Sequence, residues 1–326
     1  MFASARKQPA LLSDHMPITA SSDDFTVISW NIMYQMQFNE KHQFFNNGFG
    51  VYNETDIEYE NRLKHIASRI NKLAETNNNT DFICLQECPK TQEATELLIN
   101  SMKAKNSLKA YNYIPYRGEY SNLHLVTFYN LNKYKFSIQK SKKFAEIEYV
   151  KLQEGFFDRV LPLVLEDKIS KETVLIVNVH ANFFKEIHND LKAIYSYASQ
   201  ANIDNMIFIG DFNRDLVQQS DDRCKHDISG ATNNDKLLFK SLNVRSTPEA
   251  SFLTIYNKET GTTKPMVETR DGCISSEIMQ VKKVPEINMQ EPKMRLTLKT
   301  SIHLGSYPKE VLRVEEEYKK CTQKFN

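Results

Sequence analysis

Four apolar runs in this 326-residue chain end abruptly in side chains able to do polar chemistry. Phe25-Thr26-Val27-Ile28-Ser29-Trp30 runs into Asn31, and Phe82-Ile83-Cys84-Leu85 ends in Gln86-Glu87. Val174-Leu175-Ile176-Val177 ends in Asn178-Val179-His180, and Met206-Ile207-Phe208-Ile209 ends in Gly210-Asp211-Phe212-Asn213. A carboxylate, amide or imidazole at the C-terminal end of a buried strand sits on a rigid scaffold while its head group faces a crevice. A single such ending is more often a turn than a ligand, since Asp and Asn are turn formers. The set of four points to a site. Glu87 and Asn31 are oxygen donors suited to a hard cation such as Mg²⁺. Asp211 and Asn213, two apart on a turn that Gly210 lets tighten, can set a carboxylate beside an amide. One can handle a proton while the other orients a water or a phosphate oxygen. His180, and His15 in Ser13-Asp14-His15, can transfer protons or offset phosphate charge near neutral pH. No Cys and His cluster at zinc-ligand spacing is present.

The elements that must carry these residues follow from the pattern of apolar positions. Short β-branched and aromatic runs at 25–30, 82–85, 123–129, 160–165, 174–179, 206–209, 273–274 and 296–302 read as strands of a packed sheet system. Residues 57–75 place Tyr59, Leu63, Ile66, Ile70 and Leu73 on one helical face. Residues 91–105 and 184–203 repeat that period. Strands and helices are mixed, and 160–165 pairs with 174–179 as a hairpin, so an α/β sandwich is favoured over a doubly wound sheet. No internal repeat or boundary divides the chain, and one domain over 1–326 is expected, with 303–326 as a C-terminal tail.

Composition bounds the function. The chain is 40% hydrophobic and 25% charged, ordinary for a globular protein with a sizeable core. A formal net charge of +1 gives no global attraction for a polyanion, so nucleic-acid binding would need a local patch. Five cysteines form no paired framework, which suits free thiols in a reducing compartment. No apolar run approaches the roughly 18 residues of a membrane span, and Ala10-Leu11-Leu12 is far short of a signal-peptide core. A soluble chain without an obligate protein partner is expected, cytoplasmic or, as the alternative, secreted without a cleavable signal peptide.

Taken together, these motifs resemble the endonuclease/exonuclease/phosphatase superfamily. They comprise Trp30-Asn31, Gln86-Glu87, Asn178-Val179-His180, Gly210-Asp211-Phe212-Asn213, Arg270-Asp271 and Ser13-Asp14-His15-Met16-Pro17-Ile18. The resemblance spans most of the chain and implies a four-layered α/β sandwich of two mixed β-sheets flanked by helices. It further implies Mg²⁺-dependent hydrolysis of a phosphate ester, with Mn²⁺ as a substitute. By position, Glu87 is implied as the principal metal ligand, with Asn31 and Asp14 beside it. Asp211 and Asn213 are implied to orient the nucleophile and handle a proton. His15 is implied as general base or phosphate contact, with Asp271 orienting its ring. His180 joins the catalytic group, and Asn178, Asn213 and His180 are implied to contact substrate. Whether Asp211 or His15 takes the water's proton is open, because geometry decides it. In the family the Ser-Asp-His motif closes the domain; here it precedes the first strand, and a circular permutation is expected. His303, in Ser301-Ile302-His303, is the rival final histidine. His180 falls where apurinic endonucleases carry Asn, which disfavours abasic-site cleavage.

The substrate is expected to be nucleic acid or a phosphorylated lipid or inositol. A phosphodiesterase of the nuclease type ranks first, ahead of a phosphoinositide phosphatase or a sphingomyelinase-like phospholipase. A catalytically silent binding scaffold is the alternative of another class. The aromatic stretch within 36–56, the basic and aromatic stretch 102–117 and the polar stretch 214–236 are candidates for substrate choice. The charged tail Val314 to Lys320 reads as a helix end.

Overall fold

The computed structural model describes residues 13, 15–35, 54–77, 80–89, 91–104, 108, 111–116, 124–137, 140, 159–181, 188–213, 243–246, 252–254, 266–268, 271–275 and 280–283. Two six-stranded mixed sheets form its centre. The first contains β1 (Ile18–Ser21), β2 (Thr26–Asn31), β3 (Phe82–Cys88), β4 (Tyr111–Tyr116), β5 (His124–Asn130) and β14 (Gln280–Lys283), in the order β14-β1-β2-β3-β5-β4. The second contains β6 (Tyr134–Phe136), β7 (Val160–Asp167), β8 (Thr173–His180), β9 (Asn205–Asp211), β10 (Asn243–Ser246) and β13 (Asp271–Ser275), in the order β10-β13-β9-β8-β7-β6. β11 (Phe252–Thr254) and β12 (Met266–Glu268) form a separate antiparallel pair.

Three apolar cores define four layers. Helices α1 (Asp56–Thr76) and α2 (Gln92–Lys103) cover the first sheet, where Leu63, Ile66 and Ile70 meet Ile28, Trp30, Ile83 and Leu85. A second core, including Val27, Cys84, Ile176 and Ile209, fills the space between the sheets. A third lies between the second sheet and α3 (His188–Gln200), around Leu175, Val177, Phe208 and Ile194. The expected α/β sandwich is the observed architecture.

The helix signals are local. Thr55 caps α1 in a reciprocal box with Glu58, and Thr91 caps α2 through the Ala94 N–H. The helices expected at 57–75 and 91–105 therefore start within two residues of these caps. The expected hairpin is β7 with β8, pairing Leu165 with Val174. Strands β1, β4, β6, β10, β11, β12 and β14 escape the apolar-run criterion, being short or polar. The run 296–302 lies outside the described residues, as do His303 and the 303–326 tail.

Among the described residues two strand pairs are parallel, β2 with β3 and β8 with β9, and each is bridged by a helix, α1 or α3. The two units share one device at their starts. Asp81 accepts the Thr26 N–H at 2.7 Å, and Asp204 accepts the Thr173 N–H at 2.7 Å. Their carboxyl ends carry all four of the polar strand endings.

Candidate active site

Strand alternation decides which of these side chains can meet. On β8, Val174 and Ile176 belong to the inter-sheet core while Leu175, Val177 and Val179 pack toward α3. Period two therefore carries Asn178 and His180 to the inter-sheet face. The same count turns Asn31 inward after Val27, Gln86 after Phe82 and Cys84, Asp211 after Ile207 and Ile209, and Asp271 before Cys273. Glu87 has the wrong parity, being odd with Ile83 and Leu85 on the helix-covered face. A register shift between Leu85 and Cys88, with Glu87 at φ 52°, re-aims its carboxylate into the site. Pairing supplies the rest: Asn31 lies opposite Gln86, His180 opposite Asp211, and Asp211 opposite Asp271.

The N-terminal segment closes the group. Ser13 donates to the Asn31 carbonyl at 2.6 Å, and Trp30 Nε1 donates to the His15 carbonyl at 2.9 Å, so the backbone around His15 is pinned to β2. His15 Nδ1 lies 3.0 Å from Asp271 Oδ2, and its Nε2 lies 3.5 Å from Asp211 Oδ2. His180 Nε2 lies 3.5 Å from both Asp211 Oδ2 and Glu87 Oε1. The Asn31 amide donates to Glu87 Oε1 at 3.2 Å and to Asp211 Oδ2 at 3.1 Å. Asp211 also accepts from the Asn213 backbone at 2.7 Å and from its side chain at 3.2 Å. The structure thus gathers His15, Asn31, Glu87, His180, Asp211, Asn213 and Asp271 from both sheets.

The charge balance of this group is negative. Burial pushes the His180 imidazole down to about 3 despite the pull of Asp211, and Arg159 and His15 push it further, so it is neutral at ordinary pH. Its Nδ1 is buried with no hydrogen-bond partner. Glu87 and Asp211 converge on one neutral amide and one neutral imidazole, with Asp271 behind His15. Carboxylate oxygens in such surroundings fit a hard divalent cation, with Glu87 and Asp211 as the oxygen donors. Asn31 turns its NH₂ toward both carboxylates and its Oδ1 toward the Met33 N–H at 3.1 Å. In this orientation its NH₂ bridges the two carboxylates. Among the described residues, His15, Asp211 and Asp271 also bring ligand atoms within 4.8 Å of one another. The His15–Asp271 contact engages one nitrogen of that set, which suits proton handling better than ligation.

Asn178 is fully buried and receives the Gln86 amide at 2.7 Å. Its own amide donates to Leu85 O, Val126 O and Thr127 Oγ1. With both ends committed between the sheets, it ties them together beneath the site and gives up the expected substrate contact. Asp14 lies outside the described residues. Arg159 was missed: Val160 pairs with Val179, so Arg159 stands beside His180, whose imidazole feels its charge. Extending the expected hairpin by one residue would have found it. A cavity of about 490 Å³ adjoins Glu87 through Tyr34, whose N–H reaches Glu87 Oε2 at 3.4 Å. Its lining includes Asp56, Tyr59, Glu60, Thr91 and Glu93.

The class defined so far is a four-layered α/β sandwich with an acidic, imidazole-bearing site at the carboxyl ends of its parallel strands. Neither a family model nor a curated protein matches the sequence. Among solved structures, the chain is similar to an endonuclease/exonuclease/phosphatase family protein from Bacteroides thetaiotaomicron, with 17% identity, 80% and 82% of the two chains covered, and a TM-score of 0.45. It is also similar to the human nocturnin catalytic domain with bound sulfate (14%, 86% of this chain and 92% of that one, TM-score 0.42). A mannosyl-6-phosphatase from Bacteroides thetaiotaomicron gives 14%, 79% and 99%, with a TM-score of 0.40. At these values the functional reading rests on the site's own geometry. No helix among the described residues is long and apolar enough to cross a membrane.

Proposed function

We propose that this chain is a metal-dependent phosphoric ester hydrolase of the endonuclease/exonuclease/phosphatase superfamily, with the family's closing Ser-Asp-His motif permuted to the N-terminus. The observation that carries it is the Asp271–His15–Asp211 chain of contacts set beside Glu87. Glu87 and Asp211 would hold Mg²⁺ or Mn²⁺; when bound, the cation offsets charge developing on a phosphoryl oxygen. Asp271 takes the Nδ1–H of His15, which fixes the tautomer with Nε2 as the acceptor nitrogen on the Asp211 side. His15 Nε2 is then the acceptor for the attacking water's proton. Asp211 accepts N–H groups from Asn31 and Asn213, which orient its carboxylate while leaving lone pairs on both oxygens for a cation. Neutral His180 offers an N–H to substrate oxygen, and Arg159 supplies positive charge at the same edge. For the permutation, support comes from Ser13 and His15 fastened to β2, and from β1 running between β2 and β14.

A phosphodiesterase of the nuclease type is the first reading of the substrate. One panel decides: DNA and RNA strands, phosphorylated inositols and sugars, and phospholipids, each with Mg²⁺, Mn²⁺ or chelator. Turnover of at least one, stopped by chelator and lowered on the order of 10²–10⁴-fold in His15→Ala, is expected. Silence on every substrate under both metals would leave a binding scaffold and overturn the proposal.

A further inference from the structure

Helix α1 carries a buried arginine outside the reacting group whose donors are nonetheless spent at the edge of the site. Arg62 is 4% exposed. Its Nε and Nη2 hold the Glu54 carboxylate at 2.8 and 2.9 Å. Nη1 donates to Ile32 O at 2.9 Å and to Met33 O at 3.0 Å, and Nη2 donates to Tyr34 O at 3.1 Å. These carbonyls belong to the three residues that follow Asn31.

The amides of the same three residues point the other way. Ile32 N–H donates to Gln86 O at 3.0 Å, Met33 N–H to Asn31 Oδ1 at 3.1 Å, and Tyr34 N–H to Glu87 Oε2 at 3.4 Å. One short stretch of backbone is therefore gripped by guanidinium on its outer side and supports Asn31 and Glu87 on its inner side. Met33 is at φ 54°, a left-handed conformation that a non-glycine residue keeps only when its surroundings impose it. Glu54 stands just before the Thr55 cap of α1, and the Gln35 side chain donates to its carbonyl at 3.3 Å. The same guanidinium thus joins the backbone after Asn31 to the entry of α1. A buried Arg–Glu pair contributes little net stability, so stability alone is a weak account of a fork shared among four residues. Lysine cannot replace it, having one compact charge and no planar fork.

We propose that Arg62 is a positioning residue, which presets Asn31 and Glu87 for cation and substrate by fixing the backbone of Ile32, Met33 and Tyr34. The proposal rests on the metal-dependent reading of the Glu87–Asp211 site. The test compares Arg62→Lys with Ile70→Val, which trims the α1 core away from the clamp. Three readouts are taken: hydrogen exchange at the three amides, calorimetric Mn²⁺ binding, and kcat with KM. Losing charge-assisted hydrogen bonds should speed exchange at those amides roughly 10- to 100-fold. Mn²⁺ should bind roughly tenfold more weakly, and kcat should fall on the order of 100-fold with KM little changed. Ile70→Val should match wild type in all three while losing some thermal stability. Wild-type kcat and Mn²⁺ affinity in Arg62→Lys, or equal losses in both variants, would overturn the proposal. If Arg62→Lys fails to fold, Glu54→Gln weakens the same fork isosterically and is read by the same criteria. A wild type that neither binds Mn²⁺ nor cleaves any ester refutes the hydrolase reading itself, whereas unchanged exchange at the three amides refutes the clamp whatever the activity.

Discussion

Gly210 offers the most direct test of how tightly the strand ends hold the site. It stands on β9 opposite Val179, at φ 149°, immediately before Asp211. A Cβ built there would lie 2.0 Å from the Val179 carbonyl oxygen, where ordinary contact begins at 3.4 Å. Gly210→Ala must therefore push the neighbouring strands β8 and β9 apart by the difference, 1.4 Å, and the atom in the way is backbone, with no rotamer to yield. The unfavourable φ adds about 1–3 kcal/mol of its own. Together we expect a loss of about 3–5 kcal/mol, large against the roughly 5–15 kcal/mol of a typical domain but survivable. The displacement passes directly to Asp211 and, through the pairing, to His180. A shift of about 1 Å at reacting groups costs on the order of 10² in rate. Urea denaturation and kcat on the substrate found by the panel read the two effects. An alanine variant within about 0.5 kcal/mol of wild type with undiminished kcat would refute the steric argument.

The depressed His180 has a signature in stability against pH, read on the metal-free protein in chelator. Below about 6.5 the unfolded chain binds a proton there, while the folded one stays neutral until about 3. Stability should therefore fall as pH drops through that window, by up to about 1.4 kcal/mol per unit, and His180→Gln should flatten the curve; equal slopes in both proteins would count against a buried neutral imidazole. Asn178→Ala strips an acceptor from Gln86 and donors from two carbonyls, so a loss of about 2–4 kcal/mol by urea denaturation is expected. A change below about 0.5 kcal/mol would remove Asn178 from the inter-sheet tie.

Much of this arrangement was legible as chemistry at strand ends, because alternation and turn residues are local signals. The helices at 57–75 and 91–105 were readable from apolar period. The inter-sheet role of Asn178 was not: its partners Leu85, Val126 and Thr127 are distant in sequence, and a polar residue at a strand end looks the same whether it faces a crevice or the opposite sheet. The Asn31 amide orientation was equally hidden, since it depends on two carboxylates brought together from β3 and β9. Arg62 read only as a member of a helix face, because its partners are backbone carbonyls that carry no sequence signature.

Glu87 shows most clearly where local pattern yields to three-dimensional constraint. Counting from Phe82 assigns it to the helix-covered side, away from Asp211 and His180. A regular β3 would bury a carboxylate against α1 and α2, among the apolar side chains of that core, at a desolvation penalty of several kcal/mol. The register shift after Leu85 and the left-handed backbone at Glu87 relieve that conflict, and the strain of the second, about 1–3 kcal/mol, is the smaller term. Once re-aimed, the carboxylate finds the Asn31 amide and the Tyr34 N–H. The strain at Glu87 on β3 and at Met33 just past β2 is therefore held through the one stretch Ile32–Tyr34. The site depends on that short backbone as much as on the residues that would touch substrate.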